Sequence, residues 1–225
     1  MVMPSRTQPW SRNPVPGIAV AATGIALTLL VTLTASILFF PAFQGFDARL
    51  SAAMRTVEFG PLEDSARLLT FVGDFWTMAI LTALGVAWLF LRRMKAEAIL
   101  LGATMVIGMT AGSILKELIE RARPGIELAR IPVPESYSFP SGHALAAFLF
   151  FGIAAFIFFT SARTPCVKLG AWIACSLLAL GVALSRVYLG VHFLGDIIAS
   201  WMLGSAFLTA FVGAYIWWVT REART

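Results

Sequence analysis

The stretch Ser141–Ala162, SGHALAAFLFFGIAAFIFFTSA, contains no Asp, Glu, Lys or Arg. Because an α-helix rises about 1.5 Å per residue, an uncharged run of this length crosses the roughly 30 Å hydrocarbon core of a bilayer. Five further uncharged runs lie at Gly17–Phe40, Phe75–Leu91, Ala98–Leu115, Leu169–Ser185 and Ile197–Thr220. The sequence therefore predicts an all-α polytopic membrane protein with six transmembrane helices.

The composition of the whole chain agrees with folding in a membrane. Of its 225 residues, 59% are hydrophobic and 13% are charged, and the mean hydropathy is +0.83. A soluble domain has a smaller apolar share and a larger charged share. Packed spans share one interior, so residues 1–225 are predicted to form one membrane-embedded domain, a single bundle. The first run is too long for a signal peptide and lacks a clear cleavage site, so it is predicted to be a span.

The charges between the runs predict the orientation in the cell membrane. Lys and Arg collect at one end of the predicted spans, at Arg6, Arg12, Arg92, Arg93, Lys95, Arg163, Lys168, Arg221 and Arg224. Acidic residues collect at the other end, at Asp47, Glu58, Glu63, Asp64, Asp74, Glu127 and Glu135. By the positive-inside rule, both termini are predicted to be cytoplasmic. The net charge of +5 is thus interpreted as a topology signal, and no nucleic-acid partner is predicted.

Two segments between the spans are predicted to lie at the outer face. Residues Phe46–Leu69 carry mixed charge, with Leu50, Met54 and Val57 on one helical face, which predicts a short amphipathic segment on the outer membrane surface. This segment is either a simple connector or a guide that brings lipid to the site. Residues 124–140 are rich in proline and show no helical period, so an irregular loop is predicted there.

Three short motifs fall at the outer ends of four predicted spans. They are Lys116-x-x-x-x-x-x-Arg123-Pro124, Pro140-Ser141-Gly142-His143 and Ser185-Arg186-x-x-x-x-x-His192-x-x-x-Asp196. Together they contain both histidines of the chain, three cations and one carboxylate. The predicted orientation rests on other residues, yet it brings all three motifs to one membrane face, as a composite site requires.

The residue types and spacings in these motifs favour phosphate binding. Lys116 and Arg123 are seven residues apart, so a helix continuing past the apolar run would point both cations the same way, which suits a polyanion. Ser141 and Gly142 are predicted at a helix N-terminus, where free N–H groups and the helix dipole bind phosphate. Arg186 adds a planar fork of donors for phosphate oxygens. The alternative for these three cations is that they are snorkelling anchors at the membrane surface.

His192 and Asp196 are expected to act as a pair. They are four residues apart at the start of the last predicted span, and therefore neighbours on one helical face. Asp196 can accept a hydrogen bond from one ring nitrogen and leave the other free to attack. An unpaired carboxylate in an apolar span is costly, which also favours a partner for Asp196. The alternative is that His143 and His192 are only polar residues at the membrane interface and have no chemical role.

The three motifs resemble those of the type 2 phosphatidic acid phosphatases, both in their order along the chain and at each of their fixed positions. This superfamily also includes glucose-6-phosphatase and the vanadium haloperoxidases. The resemblance is anchored in residues 116–196 and extends, through the six-span layout, to most of the chain. It implies a membrane phosphatase that hydrolyses a lipid phosphomonoester or pyrophosphate at the outer face through a phosphohistidine, with no metal or other cofactor. The implied substrates are undecaprenyl pyrophosphate, phosphatidylglycerophosphate, phosphatidate or a similar lipid phosphate.

The resemblance also implies a role for each matching residue. His192 is implied to be the nucleophile, with Asp196 orienting its ring and His143 acting as the general acid that protonates the leaving oxygen. The implied phosphate-binding residues are Lys116, Arg123, Ser141, Gly142, Ser185 and Arg186. For Ser185, the alternative is a packing or capping role in its helix.

Two other functions are compatible with the same motifs. A lipid phosphotransferase would pass phosphate from the phosphohistidine to a different acceptor. A non-catalytic protein that binds or flips lipid phosphates would need the cations, but not a nucleophile with its orienting carboxylate. Cys166 and Cys175 form neither a disulfide framework nor a metal-binding motif, so they are predicted to be reduced thiols. These patterns predict no particular protein partner.

Overall fold

The structure is a computed structural model that describes residues 15–57, 60–125, 127, 129–162 and 164–222. Within these ranges the chain forms eight α-helices: α1 (Val15–Phe39), α2 (Pro41–Arg55), α3 (Gly60–Val72), α4 (Phe75–Leu91), α5 (Lys95–Ile119), α6 (Gly142–Ser161), α7 (Pro165–Tyr188) and α8 (Leu194–Glu222). Some residues on which the orientation prediction relies lie outside the described residues, namely Arg6, Arg12, Glu58, Arg163 and Arg224.

Five of the described helices are long and apolar enough to cross a membrane: α1, α5, α6, α7 and α8. Helices α3 and α4 meet at an angle of 54° and together make a sixth candidate span. At the bend, the Asp74 side chain caps α4 by accepting a hydrogen bond from the Trp76 N–H at 3.1 Å. The described chain is thus all-helical with five or six candidate spans, in agreement with the predicted fold class.

Helix α6 lies at the centre of the bundle, where it packs against α5, α7 and α8. Its side chains Leu145, Leu149 and Ile153 are fully buried. A Cβ atom at Gly108 of α5 would lie 2.5 Å from Leu149 Cδ1, and one at Gly112 would lie 2.5 Å from Leu145 Cδ2. Small residues four apart allow two membrane helices to approach closely. This contact holds the end of α5 beside the start of α6.

The periphery of the bundle is apolar. Helix α1 packs along α8, where the Oγ1 atoms of Thr23 and Thr209 lie 2.8 Å apart. Little of α1 is buried within the bundle, and side chains such as Val20 and Val31 are exposed. A continuous apolar surface of this kind suits contact with lipid chains.

Several helix ends meet at one end of the bundle. The Ser141 N–H donates to the Asp196 carbonyl oxygen at 3.4 Å, so the starts of α6 and α8 are in contact. The turn between α7 and α8 is bonded to the loop after α5, because the Arg130 N–H donates to the Leu189 carbonyl oxygen at 3.0 Å. All three sequence motifs lie on these ends and on the segments that join them.

One expectation about the connecting segments is corrected. Helix α5 does not continue through the first motif, because Glu120 adopts a left-handed backbone conformation with φ of 50° and ends it. Arg123 therefore lies on the following loop, not two helical turns after Lys116. The segment Phe46–Leu69, predicted to be amphipathic, contains most of α2 and the greater part of α3, which turns into α4.

Candidate active site

His192 and Asp196 form a buried pair at the start of α8. The two residues are 2% and 0% exposed, and His192 Nδ1 lies 3.3 Å from Asp196 Oδ2. His192 belongs to the turn before α8, so the fold of this turn, and not helical periodicity, brings the ring to the carboxylate. The two residues are neighbours, as predicted, although not on one helical face.

The Asp196 carboxylate is surrounded by donors. The Ser138 hydroxyl and the Phe193 N–H, at 2.9 Å, both donate to Oδ2. Arg121 Nη1 donates to Oδ1 at 2.6 Å. A buried carboxylate remains charged only where hydrogen bonds and a cation replace its water. These partners therefore hold Asp196 as an anion in one orientation.

Arg123 determines which nitrogen of His192 carries the proton. Arg123 Nη1 lies 3.1 Å from His192 Nε2. A guanidinium group only donates, so Nε2 must accept and Nδ1 carries the hydrogen that faces Asp196. Burial lowers the pKa of His192 to about 4, so the ring is neutral at pH 7. The Nε2 lone pair of a neutral imidazole thus faces a cation.

Lys116 and Arg123 meet on the loop that precedes α6. Lys116 Nζ donates to the carbonyl oxygens of Tyr137 at 2.6 Å and Pro140 at 3.0 Å. Arg123 donates to the Ser136 carbonyl oxygen at 2.7 Å through Nε and to that of Tyr137 at 3.2 Å through Nη2. Both cations donate to the Tyr137 carbonyl oxygen, and this shared contact brings them together. Helical periodicity does not, because Arg123 lies beyond the end of α5.

Ser141 and Gly142 open α6, as the second motif predicts. The Ser141 hydroxyl is buried and has no hydrogen-bond partner among the described residues, so it is available as a donor. His143 follows in the first turn and lies against Gly73, where a Cβ atom would be 3.4 Å from His143 Cβ and Cδ2. The Ser141 N–H donates to the Asp196 carbonyl oxygen, so the first turn of α6, which carries His143, lies beside the start of α8. The two histidines are therefore at the same end of the bundle.

Ser185 and Arg186, in the last turn of α7, are placed differently. Arg186 is buried and donates from Nη1 to the Thr70 hydroxyl of α3, while its Nε has no partner in the described chain. The Ser185 hydroxyl donates to the Val182 carbonyl oxygen of its own helix at 2.7 Å. Arg186 thus offers a free donor, whereas Ser185 has the hydrogen bond of a helix-interior serine. Phosphate contact by Ser185 stays a prediction.

Sequence reasoning misses three residues of this site, namely Ser138, Arg121 and Asp47. Arg121 Nη2 donates to Asp47 Oδ2 at 2.8 Å, so the network around Asp196 extends to α2. Ser138 stands three positions before Ser141, and this proximity is the one available signal for it. No periodicity links Asp47 to Arg121, which follows 74 positions later.

A buried His–Asp pair whose second ring nitrogen, Nε2, faces the guanidinium group of Arg123 is an arrangement suited to phosphoryl transfer. Here this pair lies at one end of a helical membrane bundle. The family model of the PAP2 superfamily matches residues 97–221, more than half of the chain and all three motifs. The protein belongs to the PAP2 superfamily and is a membrane lipid phosphatase of this family.

Two curated relatives cover most of the chain. Phosphatidylglycerophosphatase B of Bacillus subtilis strain 168 is 28% identical over 184 residues, which cover 80% of this chain and 88% of that protein. Lipid A 1-phosphatase of Rhizobium johnstonii is 31% identical over 229 aligned positions, which cover 91% of this chain and 86% of that protein. The two names refer to different lipids, so the family does not by itself define the substrate.

A solved structure agrees with the fold. The crystal structure of a transmembrane PAP2-type phosphatidylglycerolphosphate phosphatase from Bacillus subtilis matches with a TM-score of 0.78 at 27% identity. The match covers 86% of this chain and 95% of that chain. It confirms the predicted helical membrane architecture, and together with the family match it confirms the resemblance to the type 2 phosphatidic acid phosphatases.

Proposed function

We propose that this protein hydrolyses a lipid phosphomonoester or pyrophosphate through a phosphohistidine on His192. The single observation that carries the proposal is the placement of the His192 ring, with Nδ1 3.3 Å from Asp196 Oδ2 and Nε2 3.1 Å from Arg123 Nη1, which implies Nδ1–H toward Asp196 and a lone pair on Nε2. A lipid-phosphate binding protein needs cations, but gains nothing from a neutral imidazole oriented by a buried carboxylate. A nucleophile, by contrast, requires a neutral imidazole in a fixed orientation.

Phosphate binding is the first step of the proposed reaction. Arg123 and Arg186 bring two guanidinium groups, and Ser141 Oγ and the first N–H groups of α6 bring further donors. These groups stabilise the charge that spreads over the equatorial oxygens in the transition state. Lys116 adds a positive charge and holds the loop carbonyls in place. Because these cations surround the phosphate, the proposed mechanism uses no metal ion.

In the first chemical step, His192 Nε2 attacks phosphorus and the bond from phosphorus to the lipid oxygen breaks. Protonated His143 donates its proton to the leaving oxygen. The leaving group is a lipid alcohol when the substrate is a phosphomonoester, and a lipid monophosphate when the substrate is a pyrophosphate. Asp196 stabilises the positive charge that develops on the His192 ring.

In the second step, water replaces His192 on phosphorus. Neutral His143 accepts a proton from this water as its oxygen attacks, and the bond from nitrogen to phosphorus breaks. Inorganic phosphate leaves, His192 is neutral again and His143 is protonated for the next cycle. A phosphotransferase would use another hydroxyl compound in place of water.

The substrate and the side of the membrane are part of the proposal. The motif residues contact phosphate and not the lipid body, so undecaprenyl pyrophosphate, phosphatidylglycerophosphate and phosphatidate all remain candidate substrates. The charge distribution supports a site at the outer face, with both termini in the cytoplasm. The names of the two relatives support a glycerophospholipid phosphate or a lipid A phosphate.

The test is phosphate release by the detergent-purified protein in EDTA, with these lipids and diacylglycerol pyrophosphate as substrates. We expect release by the wild type and by Glu135→Ala, an exposed position on the loop before α6, and none by His192→Ala. Vanadate, which mimics phosphate, should inhibit. Near-normal hydrolysis by folded His192→Ala would show that His192 is not the nucleophile, and dependence on a divalent metal would contradict the metal-free mechanism.

A labelled substrate separates the alternatives. With lipid carrying radioactive phosphate, a rapid quench should leave an acid-labile label on the wild type and none on His192→Ala. Label without release of inorganic phosphate would favour a phosphotransferase. Neither label nor release from any lipid would favour a binding protein.

A further inference from the structure

We infer that Arg121 and Asp47 form a positioning clamp for Asp196, and that this clamp determines how fast the phosphohistidine forms. The inference rests on the proposed function, because both residues act through the pair of His192 and Asp196. Asp47 belongs to α2, outside every motif, and Arg121 occupies a non-fixed position of the first motif.

The clamp is one guanidinium group between two carboxylates. Arg121 Nη1 lies 2.6 Å from Asp196 Oδ1, and Nη2 lies 2.8 Å from Asp47 Oδ2. The Arg121 side chain is 11% exposed and the Asp47 side chain 4%. The Arg121 guanidinium also lies 4.4 Å from the ring centroid of Phe193, which restricts its rotation. The planar fork of arginine suits such a bridge, whereas the point charge of lysine does not.

Helix α2 also holds the backbone on which Asp196 stands. Asp47 Oδ1 accepts a hydrogen bond from the Gly195 N–H at 2.9 Å, and Ser51 Oγ accepts one from the Leu194 N–H at 2.8 Å. The first N–H groups of a helix have no partner within it, so α2 supplies the partners that α8 lacks. Asp47 therefore contacts both Arg121 and the peptide next to Asp196.

The position of the clamp predicts a kinetic signature. Arg121 acts on the Nδ1 side of His192, through Asp196, while the phosphate is proposed to bind on the Nε2 side. Loss of the clamp should therefore misorient the nucleophile and leave phosphate affinity intact. An effect confined to the transition state lowers kcat and leaves KM unchanged.

Charge also predicts a rescue. Without Arg121, Asp47 and Asp196 are two buried carboxylates with no cation between them, an arrangement that is strongly unfavourable. Asp47→Asn removes one of the two charges and keeps an oxygen that can accept from Gly195. The second substitution should thus restore part of the kcat that the first removes.

The experiment compares steady-state kinetics and single-turnover phosphohistidine formation in Arg121→Met, Arg121→Lys, Asp47→Asn and the Arg121→Met/Asp47→Asn double variant. Arg130→Met is the matched control, because Arg130 pairs with Glu63 at 3.0 Å and lies 4.7 Å from the Tyr188 ring centroid without touching a residue of the catalytic pair. We expect Arg121→Met to lower kcat and the rate of phosphohistidine formation about 10²-fold at unchanged KM. The double variant should recover several-fold of this loss, and Arg130→Met should match the wild type.

Three results would overturn the clamp. They are a kcat for Arg121→Met no lower than that of Arg130→Met, a raised KM at normal kcat, and a further loss of kcat in the double variant. If Arg121→Met does not fold, then Arg121→Lys and Asp47→Asn decide, since a normal kcat in both would refute the clamp. A wild type that forms no phosphohistidine refutes the proposed function itself, whereas an active wild type with unaffected clamp variants refutes the clamp alone.

Discussion

The two histidines of the chain have different surroundings, and the difference suits different tasks. Both ring nitrogens of His192 are engaged, by Asp196 on one side and Arg123 on the other. The His143 ring has no hydrogen bond within the described part of the chain. An imidazole held at both nitrogens is oriented for attack, whereas an unrestrained one can exchange protons with a substrate oxygen and with water.

This difference predicts a dependence on the leaving group for His143→Gln. With a lipid phosphate, loss of the general acid should slow phosphohistidine formation by about 10²- to 10⁴-fold. With p-nitrophenyl phosphate the loss should be much smaller, because p-nitrophenolate leaves without a proton. The burst of p-nitrophenol in a stopped-flow experiment isolates this first step. If His143→Gln slows phosphohistidine formation equally with both substrates, His143 is not the general acid.

The buried neutral ring of His192 predicts a pH dependence of stability. Burial lowers its pKa from 6.5 to about 4, so the neutral ring contributes stability above pH 6.5 that is lost as the pH falls toward 4. Between pH 7.5 and 4.5 the wild type should lose about 2 kcal/mol more than His192→Asn, whose side chain does not titrate. Thermal unfolding in detergent across this range measures the difference. Parallel pH profiles for the two proteins would contradict it.

Sequence predicts the charged and titratable members of the site better than their supporting contacts. His192, Lys116 and Arg186 are recognisable because such groups are expensive next to apolar spans. Ser138 and Asp47 carry no comparable signal, because a serine in a polar loop and an acid near a membrane surface are ordinary. Their positions depend on tertiary contacts that bring distant parts of the chain together.

At the scale of the helices, the spacing between α5 and α6 positions the second motif. Gly112 touches the buried Leu145 side chain, which stands two residues after His143. A larger residue at this point would push α6 away from α5, and with it the first turn that carries Ser141 and His143.

Gly112→Ala should therefore reduce both stability and activity. Its Cβ atom would lie 2.5 Å from Leu145 Cδ2, and overpacking of this kind typically costs about 1–3 kcal/mol. Gly102→Ala is the control in the same helix, because its Cβ atom would make an ordinary contact of 3.6 Å with Val86 Cγ2. Thermal unfolding and phosphate release measure the two effects. If both substitutions behave alike, the close contact does not set the position of α6.

The runs that form the spans are readable from composition alone, but the helix ends that build the site are not. Hydropathy identifies α5 through its apolar run, yet the left-handed conformation of Glu120 stops it before Arg123. A glutamate is not a residue that favours this conformation, so no local signal predicts the stop.

At the scale of the whole molecule, the bundle separates a site end from an opposite end. Arg186 lies near the C-terminus of α7 and Cys166 in its first turn, so the two are about 30 Å apart along the helix axis. This distance is comparable to the hydrocarbon thickness of a bilayer. The side on which Cys166 is found therefore determines which leaflet presents its lipids to His192.

The predicted orientation places Cys166 in the cytoplasm. Cys166 is exposed and Cys175 is buried, so a membrane-impermeant maleimide has one accessible target among the native cysteines. We expect no labelling in intact spheroplasts and full labelling after lysis, with Cys166→Ser as the negative control. A Cys166→Ser/Glu135→Cys variant should show the opposite pattern, because Glu135 is exposed on the loop at the site end. Labelling of Cys166 in intact spheroplasts would reverse the orientation, and the proposed substrate would then be a lipid phosphate of the cytoplasmic leaflet.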